Sequence, residues 1–437
     1  MQPHDIDAFF APRASLDMEA YLELTFTFEC AGDPRAAAAH LASEQSTAQW
    51  RRVGVHEDFR PQHAAKVLEL DAMPQPAFSV PLRVIPPGPV HRCRVVIAHP
   101  HGNFGARLPN LISAVLGEGV YFAPGIPLIR LEDIGFPASY LAHFDGPQFG
   151  VAGVRERLQV HGRPLFFGVI KPNIGLAPTD FAPLGYEGWM GGLDIAKDDE
   201  MLADAPYSPL AERAALLGAL RARAEQETGV PKGFLCNITD EVDRIAALHD
   251  TAVAAGANLV MVNAMPVGVS GVRALRRVAR VPIVTHFPFI AAFGRLPSHG
   301  AHSRVFTRLQ RLAGADIVIM PGFGDRMMTP PSEVLENVRA CLEPMGPLKP
   351  SLPVPGGSDS AATLEAVYRR VGTVDFGFVP GRGVFAHPMG PRAGAASLQQ
   401  AWAAIAAGVP VEVHARQHPE LRAALSAFGP AQHAAGE

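Results

Sequence analysis

The run GGLDIAKDDE, Gly191–Glu200, sets a lysine and three consecutive acids behind a short apolar stretch. In an extended strand Ile195, Lys197 and Asp199 share one face, Asp194, Ala196 and Asp198 share the other, and Glu200 follows as the chain turns. Lys197, Asp199 and Glu200 can therefore converge on one point. Two carboxylates and a third oxygen ligand suit a hard octahedral cation such as Mg²⁺. An ammonium cannot bind a metal, but the neutral amine of Lys197 can take up CO₂ and become a carbamate, an anionic oxygen ligand. Taken alone, such a charge run reads as a solvated, self-paired loop; ending a buried barrel strand, it reads as a metal site. A Schiff base on Lys197 is the competing chemistry. It needs a depressed amine pKa, and the adjacent acids are expected to push that pKa up.

Other strand ends carry chemistry too. In GVIKPNIG (Gly168–Gly175) Lys171 closes an apolar run and Pro172 stops the ladder there. A lysine so placed can polarise a carbonyl or move a proton; the plainer reading is a lysine snorkelling from a strand end. His286 ends the run IVTHFPF, where it can bond substrate oxygens or carry protons, or sit as a satisfied core residue. The glycine-rich ends PVPGGSDS (Pro353–Ser360) and FVPGRGVF (Phe378–Phe385) expose backbone N–H groups that suit a phosphate, with Arg382 adding charge; otherwise they are tight turns.

The elements that position these residues begin at Pro164. Short apolar runs recur between helical segments: Leu165–Ile170, Leu193–Ala196, Phe234–Ile238, Leu259–Val262, Ile283–Thr285, Ile317–Met320, Leu352–Val354 and Phe376–Val379. Helices such as Leu210–Glu227 and Thr363–Arg370 separate them. Eight buried strands with crossovers predict an α/β fold with a C-terminal (β/α)₈ TIM barrel. A doubly wound open sheet is the rival, but the nearest GxGxxG turn, Gly381–Ala386, departs at its sixth position and opens no clear helix. Lys171, Lys197, Asn237, Asn263, His286, Gly322, Gly356 and Gly381 fall at C-terminal strand ends, which in a barrel meet at one face.

The first third reads as a smaller α+β domain of ferredoxin-like type. Leu22, Leu24, Phe26 and Phe28 alternate with Glu23, Thr25 and Thr27 in a strand over Tyr21–Phe28. Asp33 and Pro34 open an Ala-rich helix running towards Ser43. Lys66–Leu70 and Arg94–Ala98 are further strands and Leu108–Leu116 a helix. The Gly- and Pro-rich stretch around Phe136–Val151 predicts a boundary, with domains at 1–145 and 146–437.

Bulk composition excludes several classes. The chain has 437 residues and a net charge of −4, with no basic cluster for nucleic acid. Its 4 cysteines form no CxxC pair, which speaks against a disulfide framework or structural zinc. No basic-then-apolar leader opens the sequence and no apolar run is long enough to span a bilayer, so a cytoplasmic location is expected.

GGLDIAKDDE, with IKP upstream, resembles the signature region of the large subunit of ribulose-bisphosphate carboxylase. The resemblance runs from SEQSTAQW (Ser43–Trp50) through HGNFG (His101–Gly105) to the last glycine-rich strand. HFPFIA, IMPGFGDRM, PVPGGSDS and DFGFVPGRGVFAHPMGP are similar to the RuBisCO-like, form IV proteins of photo and non-photo type. The resemblance implies a homodimer whose N-terminal domain completes the partner's site, with Glu44 and Asn103 facing that site. It implies carbamylation at Lys197, with Asp199 and Glu200 as the other Mg²⁺ ligands. Lys171 matches the first lysine of a catalytic pair, His286 a substrate-binding histidine, and Gly356, Gly357 and Gly381 phosphate-binding glycines.

Departures from that family are as informative. Asn173 stands where the pair's second lysine belongs. MPGFGDRM has no lysine for the CO₂-derived carboxylate, and Phe287 replaces an arginine that binds a second phosphate. Pro355 replaces a serine and Gln49 a threonine. The combination implies loss of CO₂ fixation and a substrate with one phosphate. What remains is Mg²⁺-dependent removal of a proton or carboxyl group next to a carbonyl of a phosphorylated oxo-sugar or oxo-acid, with a 3-oxo-isoapionate-4-phosphate decarboxylase or transcarboxylase/hydrolase favoured. Alternatives are a methionine-salvage enolase or isomerase, a role in sulfur metabolism, and a non-catalytic binding or regulatory protein.

Overall fold

The computed structural model describes residues 3–48, 54, 56–324 and 326–429, so Gln49 and Trp50 lie outside the described residues. In chain order the first strands are β1 (Tyr21–Ala31), β2 (Lys66–Pro74), β3 (Val90–Pro100) and β4 (Leu128–Gly135). Next come β5 (Leu165–Val169), β6 (Ile195–Lys197), β7 (Gly233–Asn237), β8 (Leu259–Asn263) and β9 (Ile283–His286). The last are β10 (Gly300–Ala301), β11 (Ile317–Pro321), β12 (Leu352–Gly356) and β13 (Gly377–Phe378). Contacts divide the chain into two compact units. The first takes residues 1–145 together with 289–312 and 345–348; the second takes the rest. The first unit thus includes two segments from beyond the boundary expected at residue 145.

In the first unit a five-stranded sheet has the order β10-β4-β1-β3-β2. Leu22, Leu24, Phe26 and Phe28 of β1 are buried and their alternating neighbours half-exposed, as a sheet with one covered face requires. The Asp33 side chain accepts from the Arg35 N–H at 2.9 Å, and Pro34 opens the helix Pro34–Glu44 as expected. The structure adds β4, which the sequence reading lacks. Its first four residues, Leu128, Ile129, Arg130 and Leu131, are all buried, so no period of two marks it.

The second unit is an α/β barrel. Its eight parallel strands run in the order β12-β11-β9-β8-β7-β6-β5-β13. The two strands at the ends of that order pack side by side: a Cβ on Gly377 would come within 2.7 Å of Val354. Every strand residue from β5 to β9 is buried, because helices cover the outside and side chains fill the inside. Phe167, Ile195, Leu235, Met261, Val284, Ile319 and Val354 form the interior, and Val151, Val154 and Leu158 of the helix Gly150–Leu158 pack onto it. Asp316 ties that helix to the strands, accepting from the N–H groups of Phe149 (2.6 Å), Gly150 (2.8 Å) and Ile283 (2.9 Å). The segment after β13, expected to form no clear helix, makes one short turn at Arg382–Phe385. Among the described residues no helix is long and apolar enough to cross a membrane.

Candidate functional site

The strand β6 stops at Lys197, and the chain beyond it carries the acids. Asp199 and Glu200 are thus placed by the turn after the strand, not by strand alternation. Alternation still separates Asp198, which points away and pairs with Arg213. Lys197, Asp198 and Asp199 are completely buried. Burying three ionisable groups in succession is costly unless each is bonded.

The bonds are present. Lys197 Nζ donates to the Asp198 carbonyl at 2.8 Å and lies 3.6 Å from Glu200 Oε2. Lys171 Nζ donates to Asp199 Oδ2 at 2.8 Å and to the Asn173 side-chain oxygen. Asn173 thereby orients the lysine whose family partner it replaces. His286 Nε2 stands 3.5 Å from Glu200 Oε2. The Phe287 N–H donates to His286 Nδ1 at 3.0 Å, so the neutral ring carries its proton on Nε2, facing Glu200. Burial, and then the nearby Lys197, push the His286 pKa well below the ordinary histidine value. This histidine is neutral and a donor through Nε2.

Lys197 differs from expectation. Its pKa is lowered, because burial outweighs the opposing attraction of Glu200, Asp199 and Asp198. The acids are written in the sequence; the loss of water around the amine is not. A free amine is what CO₂ addition requires, and a Schiff base requires it as well.

A second layer holds the acid-bearing turn by its backbone. Asn237, at the end of β7, donates from Nδ2 to the carbonyls of Asp199 (3.0 Å) and Glu200 (3.1 Å). Asn263, at the end of β8, donates to the Glu200 carbonyl at 2.9 Å. The Asn237 side-chain oxygen accepts in turn from Thr239 N–H (3.0 Å) and Oγ1 (2.7 Å). Asn237→Ala would remove one donor from each of these carbonyls, which keep the Leu202 N–H on Asp199 (3.0 Å) and Asn263 Nδ2 on Glu200 (2.9 Å), at a cost of about 0.5–1.5 kcal/mol. Urea unfolding of the variant measures this; an unchanged midpoint would mean water replaces the amide without loss.

A cavity of about 980 Å³ opens above these groups, entirely within the second unit. Lys171, Asn173, Glu200, His286, Gly356, Gly357, Gly381 and Arg382 all line it, so residues far apart in sequence meet as the barrel topology requires. Lys197 and Asp199, fully buried, do not reach the wall. A Cβ on Gly381 would come within 2.8 Å of Lys171 Cε, so a larger residue there would make the lysine shift. Glu44 and Asn103 belong to the first unit and do not line this cavity. Asn103 instead bonds the ring and carbonyl of His63, both at 2.8 Å.

Sequence reasoning missed Arg326, Asp359 and Ser360, which also line the cavity. Arg326 lies in MPGFGDRM, where no local pattern separates a residue facing the cavity from one facing water. Asp359 and Ser360 lie just past the two glycines of PVPGGSDS, whose sequence signal is the exposed backbone of those glycines.

Among the described residues no three His, Cys, Asp or Glu side chains gather as a ready metal cluster. Asp199 and Glu200 supply two carboxylates, so a hard cation would need another anionic oxygen close by. The buried amine of Lys197, lying 3.6 Å from Glu200, stands where a carbamate would supply it.

Comparison with known proteins agrees over nearly the whole chain. Residues 150–428 match the ribulose bisphosphate carboxylase large chain catalytic domain, and residues 23–140 its N-terminal domain. Ribulose bisphosphate carboxylase-like protein 2 of Rhodopseudomonas palustris is 72% identical, across 98% of this chain and 100% of that one. The 3-oxo-isoapionate-4-phosphate decarboxylase of Rhizobium etli is 33% identical across 93% and 98%. Among solved structures, a rubisco-like protein from Burkholderia fungorum superposes with a TM-score of 0.85 at 32% identity, covering 94% and 100%. A dimeric archaeal Rubisco from Hyperthermus butylicus superposes with a TM-score of 0.84 at 29% identity, covering 97% and 99%.

Proposed function

The chain belongs to the ribulose bisphosphate carboxylase large-chain family, and we propose that its barrel mouth removes a proton or a carboxyl group next to a carbonyl without fixing CO₂. The observation that carries this reading is the convergence of Lys197, Asp199 and Glu200 beneath a cavity lined by Lys171 and His286. With CO₂ added to the Lys197 amine and one proton released, the carbamate, Asp199 and Glu200 would hold Mg²⁺, which when bound supplies a Lewis acid for an oxygen gaining negative charge.

The chain's own groups do the rest. Lys171, bonded to Asp199 and Asn173, is placed to move a proton or to stabilise negative charge on the substrate. His286 donates from Nε2 to a substrate oxygen. Gly356, Gly357 and Gly381, with Arg382, receive a single phosphate. Phe287 offers no charge for a second one, and the segment after β11 offers no lysine for a new carboxylate.

A phosphorylated oxo-sugar or oxo-acid suits these losses. The favoured substrate is 3-oxo-isoapionate 4-phosphate, which the Rhizobium etli relative is named for decarboxylating. Assembly as a homodimer would bring Glu44 and Asn103 of one subunit to the site of the other, in the cytoplasm.

The test is CO₂ release from 3-oxo-isoapionate 4-phosphate after preincubation with magnesium and bicarbonate. Release that depends on both is expected. Thermal unfolding run alongside separates the outcomes: a ligand at about a hundred times its Kd adds about 2.7 kcal/mol. Stabilisation by magnesium with bicarbonate, but no CO₂ release, would move the reaction to a methionine-salvage type of substrate. No stabilisation would leave a binding protein.

A further inference from the structure

We propose that Asp359 takes up a proton when the cavity binds the phosphate-bearing end of its substrate, so that this carboxyl couples binding of a dianion to uptake of one proton. The proposal rests on the reading of a phosphorylated substrate given above. Asp359 Oδ2 accepts from the Gly357 N–H at 3.4 Å, the donor on which a phosphate is expected. Asp359 and Ser360 both line the cavity and are only 7% and 2% exposed. Ser360 Oγ is buried in that wall without a hydrogen-bond partner. A Cβ on Gly383 would sit 2.5 Å from the Asp359 carbonyl, so the segment after β13 holds this corner closed.

A dianion seated on the Gly357 N–H meets the Asp359 carboxyl oxygen at once. Two like charges in a site shielded from water cannot both stay ionised. Protonated, the same carboxyl changes from a repelling acceptor into an O–H donor to the ligand. The Ser360 hydroxyl offers a second donor.

The charged side chains on neighbouring elements are Arg382 after β13 and Arg326 after β11, both on the cavity wall, with Lys171, Glu200 and His286 further round it. Asp359 makes no ion pair with any described residue. Burial pushes its pKa up to about 7, against the opposing N–H groups of Gly357 and Val379. Near pH 8 only about one molecule in ten then holds the proton, and near pH 6 about nine in ten. If the protonated form is the one that binds, apparent affinity falls by that fraction.

Sulfate tests this, because it stays a dianion across the whole range and any proton gained on binding is the protein's. The full chain is titrated with sodium sulfate by calorimetry near pH 8, in buffers of differing ionisation enthalpy. Uptake approaching one proton per sulfate is expected. Asp359→Asn should bind sulfate about ten-fold tighter near pH 8, about equally near pH 6, and with no proton uptake. Sulfate binding without uptake by the native protein, or uptake that persists in the variant, overturns the proposal while the phosphate reading stands. If neither protein binds sulfate, both fall.

Discussion

Replacing Lys197 by methionine is expected to abolish turnover and the joint stabilisation by magnesium and bicarbonate, while the barrel stays folded. Lys197 is completely buried, and burial has already lowered its amine pKa. The folded protein therefore loses rather than gains by holding an ammonium there, and a methionine of similar length removes that cost while keeping the packing. What disappears is the nitrogen that takes up CO₂. Asp199 and Glu200 alone would make a poor site for a hard cation. Losing one preorganised electrostatic stabiliser of a developing oxyanion lowers kcat by about 10²–10³, and loss of the ion should exceed that. The variant is to be compared with the native protein in CO₂ release and in thermal unfolding, with magnesium and bicarbonate separately and together. A variant still stabilised by the pair would exclude the carbamate. Borohydride trapping on native protein covers the rival, since a lysine adduct formed with substrate would move Lys197 to Schiff-base chemistry.

Arg213→Met should destabilise the barrel by about 3–5 kcal/mol, the range for breaking a buried ion pair from one side. Arg213 and Asp198 are both fully buried, with Nη2 3.2 Å and Nε 3.4 Å from Asp198 Oδ2. Arg213 also donates to the carbonyls of Ser208 (2.6 Å) and Ala203 (2.7 Å). The Asn237 N–H adds a third donor to Asp198 at 3.0 Å. Without the arginine, Asp198 keeps the Asn237 N–H but loses its counter-charge and two donors where water cannot reach. The double variant Asp198→Asn with Arg213→Met removes both charges and should recover part of the loss, as denaturant midpoints will show. No recovery would mean the arginine acts through the two carbonyls instead. Because Asp198 sits between Lys197 and Asp199, the single variant should also weaken stabilisation by magnesium and bicarbonate.

Much of this was legible before any coordinates. The barrel strands declared themselves as short apolar runs because both of their faces are covered. Period-two alternation marked β1 because only one of its faces is. Both signals failed at β4, where burial on both sides within a mostly antiparallel sheet removes the alternation. The strand ends at Lys171, Lys197, His286 and Gly381 could be gathered into one site because barrel topology brings parallel strand ends to one rim, whatever their separation in sequence. Asp359 and Arg326 escaped because nothing local separates a loop residue facing a cavity from one facing water.

Sequence alone determined the order of the barrel strands and their crossovers, the family resemblance, and the residue types offered at the rim, since these depend on local periodicity and motif spacing. Tertiary structure alone decided how burial bears on Lys197 and His286. The acids around Lys197 are visible in one line of letters and argue for a raised pKa; the layers of side chains that exclude water from it are not, and they turn the shift downward. Likewise only the fold shows that Asp198 faces Arg213 while Asp199 faces Lys171, because desolvation and pairing depend on which elements close over a side chain.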